Sequence, residues 1–332
     1  MSKVLLIDVD SKIPNIALMR ISGYHKTKGD TVGFSVSDPD IIYASVIFKK
    51  NAHKVDGLSI LYPKAKINIG GTGIDLKKKL PIEIEYLSPM DYSIYPNCDS
   101  YYGFTSRGCI RKCPFCIVPI KEGRWSQEQT IESIINDRTD DNIIHRQNNI
   151  GTPPGGYNKI TLLDNNILAN KDWFLKRMKE IPPHMKVNIN QGLDIRLIDH
   201  EIAERLKTLH PVSCWIFAFD SMSYRDKVER GIKILADVGI NPRSVMFYVY
   251  LDSDNDFDDA LERCNILKGL GTNAFLMINQ DTKRTPRMTA LKRWCIPYAF
   301  WDTDFKNFKS KVRPTSPPPY VQKLFSGTKE IT

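Results

Sequence analysis

The sequence predicts an α/β protein in which a small N-terminal parallel sheet is followed by six β/α units that curve into a barrel or part of one. Two observations lead to this prediction. Short apolar runs alternate with helical patterns from the first residues onward, and near residue 101 the alternation resumes with a longer period. The 332-residue chain is 42% hydrophobic, so it can bury the cores of two domains or of one large domain with an appendage.

The N-terminal segment contains four apolar runs, each bounded by Gly, Pro, Asp or Asn. Between the first two runs, the spacing of Ile13, Ile16, Ala17 and Met19 predicts a short helix. Continuous apolar runs are typical of strands that are buried on both faces, so they indicate a small parallel sheet that is covered on both sides. The four runs are residues 3–9, 31–36, 41–48 and 65–71.

The longer second series contains six apolar runs with helical patterns between them. Ser126, with Gln129 three residues later, predicts a capped helix start, Asp199 predicts a second start, and Gly239 predicts a helix end. Eight β/α units would close a full barrel, so six units predict a partial (β/α)6 barrel of the TIM type. The six runs are residues 101–106, 159–164, 186–190, 213–219, 244–251 and 273–279.

Composition indicates the compartment in which the protein works. The first 20 residues lack the apolar core and cleavage site of a signal peptide, and no run approaches the roughly 18 consecutive apolar residues of a membrane span. We therefore expect a cytoplasmic protein with no membrane partner. Seven cysteines in such a chain, three of them crowded together, favour metal-binding or catalytic thiols over disulfides.

The formal net charge of +9 is unevenly spread. Basic residues outnumber acidic ones by 13 to 9 in residues 1–90, by 5 to 1 in residues 281–293 and by 6 to 1 in residues 306–332. The basic C-terminal portion either binds the phosphates of a nucleic acid or nucleotide, or is solvated surface. The aromatic residues of segment 291–301 either stack on nucleic-acid bases or cover an open edge of the barrel, and we expect the cover.

Three cysteines, Cys109, Cys113 and Cys116, lie within the stretch GCIRKCPFC at residues 108–116. Structural zinc normally has four Cys or His ligands, so a zinc site here would need a distant fourth ligand. A 4Fe-4S cluster fits the spacing better, because three thiolates on one loop leave one iron open for a substrate or cofactor. The positive charges of Arg111 and Lys112 favour the thiolate form of these cysteines.

This CxxxCxxC spacing, with Phe115 before the last cysteine and its place after the first barrel strand, resembles the signature of the radical S-adenosylmethionine (radical SAM) superfamily. The resemblance implies that the three thiolates hold a 4Fe-4S cluster and that S-adenosylmethionine chelates the fourth iron. An electron donor such as flavodoxin or ferredoxin would reduce the cluster. Reductive cleavage would then give a 5'-deoxyadenosyl radical, which modifies an unidentified substrate; the basic segments favour a nucleic acid or nucleotide.

The resemblance also implies contacts to S-adenosylmethionine near the strand ends, where groups at the mouth of a barrel belong. The contact residues that it implies are Phe115, Asp164, Asn166, Gln191 and Asp220. A different class of function stays open, in which the chain is a non-catalytic, metal-containing module that binds nucleic acid. Iron and sulfide analysis distinguishes the two, because zinc without iron would favour the second.

The N-terminal sheet resembles the flavodoxin-like (Rossmann-like) cobalamin-binding domain that precedes the barrel in one radical SAM subclass. The glycine-rich turn NIGGTG at residues 68–73 carries this resemblance, but the Asp-x-His-x-x-Gly motif of the subclass is absent after LLIDVD. We therefore expect a vestigial domain, and cobalamin is not favoured. The expected regions are residues 1–90 for this domain, 91–305 for the radical SAM partial barrel and 306–332 for a basic, Pro-containing tail, with a lid or mobile loop at 138–158.

Overall fold

A computed structural model describes residues 1–137 and 156–309, and these residues form a mixed α/β protein with several parallel sheets, as the sequence predicts. The chain divides into two compact units. The first unit comprises Met1–Gly103, Ile117–Gly123 and Gln129–Asn158, and the second comprises Phe104–Cys116, Arg124–Glu128 and Lys159–Thr332. Most of the predicted loop, residues 138–155, and the tail from residue 310 lie outside the described residues.

The first unit contains a four-stranded parallel sheet in the order β2-β1-β3-β4. Alternate side chains of β1 enter different cores: Val4 and Leu6 pack in one apolar cluster, and Leu5 packs in another. The prediction of a small parallel sheet that is buried on both faces is therefore confirmed. Its strands are β1 (Lys3–Asp8), β2 (Thr31–Gly33), β3 (Ile41–Ser45) and β4 (Lys66–Gly70).

The helix predicted between the first two strands is present and is capped by Asn15, whose side chain accepts a hydrogen bond from the Leu18 amide at 3.3 Å. A 3₁₀ segment, Lys49–Val55, follows β3. The helices and the last strand of this unit are α1 (Ile16–Thr27), α2 (Leu58–Leu61), α3 (Ile82–Glu85), β5 (Tyr101–Gly103), α4 (Val118–Lys121) and α5 (Ile131–Asn136).

The helix start predicted at Ser126 is wrong. Two short strands, β6 (Ser106–Arg107) and β7 (Ser126–Gln127), pair antiparallel, so Ser126 lies in extended backbone. Helix α5 instead begins after Thr130, whose side chain accepts a hydrogen bond from the Ser133 amide at 3.0 Å. Because Ser126 is paired in a strand, it cannot cap a helix, and the hydroxyl of Thr130, four residues later, caps α5 instead.

The second unit contains two parallel sheets, with orders β10-β9-β8 and β11-β12-β13. A parallel bridge joins Leu193, after β9, to Phe217 in β11, and the Leu193 amide donates to the Ile216 carbonyl oxygen at 2.7 Å. Every predicted run contains a strand. The strands are β8 (Lys159–Leu162), β9 (Lys186–Ile189), β10 (His210–Pro211), β11 (Trp215–Ala218), β12 (Val245–Leu251) and β13 (Asn273–Ile278).

Helices follow the strands of this unit in turn. The predicted cap at Asp199 is confirmed, since its carboxylate accepts from the Ile202 amide at 2.9 Å, and Gly239 ends the next helix with a φ of +89°. The helices are α6 (Lys171–Lys179), α7 (His200–Lys207), α8 (Arg225–Asp237), α9 (Phe257–Gly269), α10 (Pro286–Trp294) and α11 (Pro297–Asp302).

The aromatic residues of segment 291–301 are structural. Trp294 and Phe300 are completely buried, and the indole N–H of Trp301 donates to Asn273 Oδ1 at 3.0 Å. Trp294 and Phe300 therefore have no free face for a nucleic-acid base, whereas Trp301 is half-buried and Tyr298 of the same segment is exposed. Within the described residues, no helix has the length and apolar character needed to cross a membrane.

Candidate functional site

The three cysteines lie on a loop that directly follows β6. Cys109, Cys113 and Cys116 are half-buried, and none of them forms a disulfide within the described residues. Gly108 starts the loop with a φ of +76°, a conformation that favours glycine, and its amide donates to Asn165 Oδ1 at 2.8 Å. The Cys116 amide donates to the Cys113 carbonyl oxygen at 3.0 Å, which closes the second turn of the loop. Backbone turns and the Asn165 side chain therefore shape the loop that carries the three cysteines.

The sulfur of Cys109 accepts two N–H donors. The Arg111 amide lies 3.3 Å from Sγ, and Asn166 Nδ2 lies 3.4 Å from it. Hydrogen bonds of this kind stabilise thiolates and tune the reduction potential of iron–sulfur clusters. Asn166 is 5% exposed, and its Oδ1 is a buried acceptor that has no partner in the described part of the chain. An unused acceptor thus lies on the same side chain that donates to Cys109.

Asp164 holds the strand that leads into the loop. It is completely buried, and its Oδ1 accepts from Thr105 Oγ1 at 2.6 Å, the Ser106 amide at 2.6 Å and Ser106 Oγ at 2.7 Å. Its Oδ2 accepts from the Thr105 amide at 3.0 Å. Burial raises the pKa of Asp164 and outweighs the hydrogen bonds that lower it. The Asp164 side chain therefore stabilises the backbone that precedes the cysteine loop.

Two arginines share one carboxylate beyond the end of β9. Asp194 accepts from Arg111 Nε at 3.0 Å and from Arg196 Nε at 2.6 Å. Burial alone would raise the pKa of Asp194, but the two guanidinium groups lower it below its usual value. The Arg196 guanidinium also lies 4.6 Å from the Tyr224 ring centroid. This arrangement keeps a net positive charge beside the cysteine loop.

Cys113 belongs to the same cluster of charged groups. Burial raises the pKa of its thiol, the neighbouring Arg196 guanidinium opposes that shift, and Asp220 and Cys109 reinforce it. A metal ligand must be the thiolate, so metal binding at this cysteine would release a proton. The charges that influence Cys113 come from the loop itself and from the ends of two different strands.

The ends of β11 and β12 carry the next predicted residue and an aromatic pair. The Tyr250 amide donates to Asp220 Oδ1 at 3.1 Å, and burial raises the pKa of Asp220. Phe115 stacks on the Tyr250 ring, with 4.2 Å between centroids and 22° between planes. Arg263, which is 2% exposed, ties the two strand ends together by donating to the carbonyl oxygens of Phe219 at 2.8 Å and Tyr250 at 3.0 Å.

The predicted residues therefore fall into three groups. Phe115, Asn166 and Asp220 lie in contact with the cysteine loop or with its neighbours. Asp164 is engaged in four hydrogen bonds to the chain itself, and its predicted contact with S-adenosylmethionine stays untested. Gln191 is exposed at the end of β9, and no hydrogen bond in residues 1–137 and 156–309 joins it to the loop.

Sequence reasoning missed two residues that shape the site, Tyr250 and Arg263. A signal existed for Arg263, because it lies among the apolar positions Phe257, Ala260 and Cys264 of α9, all of which are buried. A charged side chain in an apolar helix stripe requires internal partners. Tyr250 had no local signal, since its role depends on the partner ring of Phe115.

The donor set suits a cluster better than a single ion. Within the described ranges, no three His, Cys, Asp or Glu side chains are arranged to hold one metal ion. A cubane cluster places its thiolates on different irons, so they need not converge on one point. Three cysteines outside any disulfide, two N–H donors on Cys109 Sγ and the buried Asn166 Oδ1, which has no partner in the described residues, fit a cluster and a polar ligand beside it.

The glycine-rich turn of the first unit does not fit cobalamin. Gly71 has a φ of +100°, and a Cβ there would lie 2.3 Å from the Val46 carbonyl oxygen. A Cβ on Gly73 would lie 2.8 Å from the Phe48 carbonyl carbon. Asp10 fastens the same segment, because it accepts from the Phe48 amide at 3.0 Å and from the amide of the preceding residue at 2.7 Å. The chain itself fills the space that the glycines create.

Comparison with known proteins adds no family to these observations. No protein-family model matches the sequence, and no curated protein matches it at a significant level.

Proposed function

We propose that this chain is a radical SAM enzyme that holds a 4Fe-4S cluster on Cys109, Cys113 and Cys116. The observation that supports this proposal most strongly is the hydrogen-bonded three-thiol loop, with N–H donors from Arg111 and Asn166 on one of its sulfurs. Three thiolates leave one iron of a cubane open, and an open iron is what a cofactor-cleaving cluster needs. A purely structural site would use four protein ligands.

The charged groups around the loop suit an anionic cluster. Arg111 and Arg196 bring two positive charges to the cysteines, while Asp194 holds both guanidinium groups in place. A buried, hydrogen-bonded carboxylate between two arginines fixes their orientation before the cluster is loaded. The N–H donors on Cys109 stabilise the thiolate form of that ligand.

Bound S-adenosylmethionine would supply the radical that attacks the substrate, and the protein would bind, orient and shield it. Asn166 Oδ1 is suited to accept from an ammonium or amino group of this cofactor, because it is buried and otherwise unpaired in the described residues. The stacked rings of Phe115 and Tyr250 offer a flat aromatic surface beside the cysteine loop, against which the cofactor could pack. Asp220, fastened to the Tyr250 amide, and Gln191 are the proposed acceptors for ribose hydroxyls.

The partial barrel and the flavodoxin-like arrangement of the two units are part of the same proposal. Strands β8, β9, β11, β12 and β13 follow each other in chain order, with the Leu193–Phe217 bridge between β9 and β11, and this succession supports a partial (β/α)6 barrel. The order β2-β1-β3-β4 supports a flavodoxin-like arrangement for the first unit. No step that we propose uses cobalamin, because the glycine turn is filled by the chain.

The test is anaerobic reconstitution with iron and sulfide, followed by dithionite and S-adenosylmethionine. We expect about four iron and four sulfide per chain, and 5'-deoxyadenosine in the mass spectrum. Cys113→Ala should lose both, whereas the matched control Cys214→Ala, a half-buried thiol outside the loop, should keep both. Zinc without iron in the purified protein would instead favour the non-catalytic nucleic-acid-binding module.

Asn166→Leu separates the two roles of that side chain. Leucine keeps the volume but removes the donor to Cys109 and the buried acceptor. We expect a shifted cluster reduction potential together with weaker S-adenosylmethionine binding by the reconstituted protein. An unchanged potential and an unchanged affinity would contradict the role proposed for Asn166.

A further inference from the structure

One stretch of the first unit carries a large excess of positive over negative charge. Residues 49–79 contain eight lysines and two aspartates, for a net charge of +6 out of the +9 of the whole chain. The stretch runs from the end of β3, through β4, to the residues that follow it. The lysines are Lys49, Lys50, Lys54, Lys64, Lys66, Lys77, Lys78 and Lys79.

The fold brings these lysines to one edge of the sheet. Strand β4 pairs only with β3 among the described strands, so it is an edge strand, and it carries Lys66. The amide of Gly73 donates to the Val46 carbonyl oxygen at 2.9 Å, which holds the segment after β4 against the segment after β3. Lys78 Nζ donates to the Ile69 carbonyl oxygen of β4 at 2.6 Å. The three lysine-bearing segments all adjoin β4 in the chain: Lys49–Lys54 lie on the connection from β3, Lys64 and Lys66 lie at the start of the strand, and Lys77–Lys79 follow its end.

The charges of this edge are not neutralised. All eight lysines are exposed, and in the described part of the chain none of them forms an ion pair. Other lysines of the chain do: Lys26 pairs with Asp91 at 2.6 Å, and Lys171 pairs with Asp199 at 2.7 Å. Eight unpaired like charges repel one another in the folded state, so a polyanion that binds there would relieve that repulsion.

We propose that this lysine edge, Lys49–Lys79, binds the phosphate backbone of a nucleic acid. Lysines spread over three segments without a surrounding cage suit the sequence-independent contacts that phosphates make. A membrane surface fits less well, because the exposed apolar residues here form no amphipathic helix: Ile60 and Leu61 lie on a four-residue helical turn, and Ile74 lies in a turn after β4. The proposal concerns binding only and does not depend on the radical chemistry.

The test uses the full-length protein and a fluorescein-labelled 20-nucleotide single-stranded RNA, with anisotropy measured over a range of salt concentrations. Lys77→Gln, Lys78→Gln and Lys79→Gln together remove three phosphate contacts. Because each contact contributes about −0.7 to the slope of log K against log salt for a single strand, we expect the slope to become shallower by about 2. Affinity at low salt should fall at least tenfold.

The matched control is Lys207→Gln, Lys227→Gln and Lys233→Gln, which removes the same charge from exposed positions of the second unit. This control should leave the slope within about 0.5 of the wild-type value. Equal slopes for the two triple variants, or binding to phosphatidylserine vesicles but not to RNA, would overturn the proposal. Circular dichroism melts check that the variants fold, and 5'-deoxyadenosine formation without substrate reports on the radical chemistry separately.

Discussion

The first perturbation to make is at Asp164, because this carboxylate connects the start of the cysteine loop to the end of β8. Its two oxygens accept four hydrogen bonds from Thr105 and Ser106, two of them from backbone amides. In Asp164→Ala the two hydroxyls can rotate toward other acceptors, but the two amides cannot. A buried donor left without a partner costs about 1–3 kcal/mol, so the variant should lose about 2–6 kcal/mol of unfolding free energy.

Asp164→Asn is the milder change. The side-chain oxygen of asparagine can still accept from Thr105 Oγ1, the Ser106 amide and Ser106 Oγ. Its NH2 group, however, would face the Thr105 amide, and two donors cannot form a hydrogen bond with each other. One unsatisfied N–H predicts a loss of about 1–3 kcal/mol. Since domains are stable by about 5–15 kcal/mol, Asp164→Asn should still fold, whereas a loss at the upper end of the Asp164→Ala range would unfold the least stable domains. Folded protein of either variant should retain less iron after reconstitution, because Cys109 follows the weakened strand.

The assay is urea unfolding followed by tryptophan fluorescence. All five tryptophans of the chain lie in the second unit, as does Asp164, so the signal reports on the correct part of the molecule. The control is Asp226→Asn, whose carboxylate is 69% exposed and pairs only with the adjacent Lys227; it should change stability by less than about 0.5 kcal/mol. An Asp164→Ala protein within about 1 kcal/mol of wild type would refute the reasoning.

Three further predictions concern other parts of the molecule. Burial alone would raise the pKa of Asp91, but Lys26 and two serine hydroxyls lower it below its usual value. The contribution of this carboxylate to stability is therefore complete above about pH 4 and is lost as pH falls through the lowered pKa. Asp91→Asn should cost about 2–4 kcal/mol of unfolding free energy at pH 7, and acid-unfolding curves should show a progressively smaller cost below about pH 4. Gly71→Ala places a Cβ 2.3 Å from a backbone oxygen at a φ of +100°, and thermal melts should show a loss of more than about 2 kcal/mol. The Cys264 and Cys295 thiols are buried, with 3.7 Å between their sulfurs, and the hydrogen bond between them together with burial raises the pKa of Cys295. In the native protein without a cluster, both thiols should therefore resist iodoacetamide while the loop cysteines react. Equal labelling of the two groups in mass spectra would disprove the burial of Cys264 and Cys295.

The strands and the three-thiol loop were predictable because their signals are local. Apolar runs are read from neighbouring residues, and the CxxxCxxC spacing lies within eight positions of the chain. The same holds for the cap at Asp199, where side chain and amide are three residues apart. Such patterns depend on the helix and strand repeats and on turn chemistry, which the residues themselves dictate.

The tertiary structure alone decided which hydrogen-bond partners the side chains of the site have. Asp164 meets Thr105 from 59 residues away, and Arg263 meets the Phe219 carbonyl from 44 residues away. The predicted cap at Ser126 failed for the same reason, because Ser126 pairs as a strand residue with Arg107, 19 positions earlier in the chain. A buried polar group binds whatever the strand register brings within reach, and register is set by packing across the whole sheet. Local sequence therefore determined which residues could act as ligands, and long-range pairing decided which of them were already used by the protein itself.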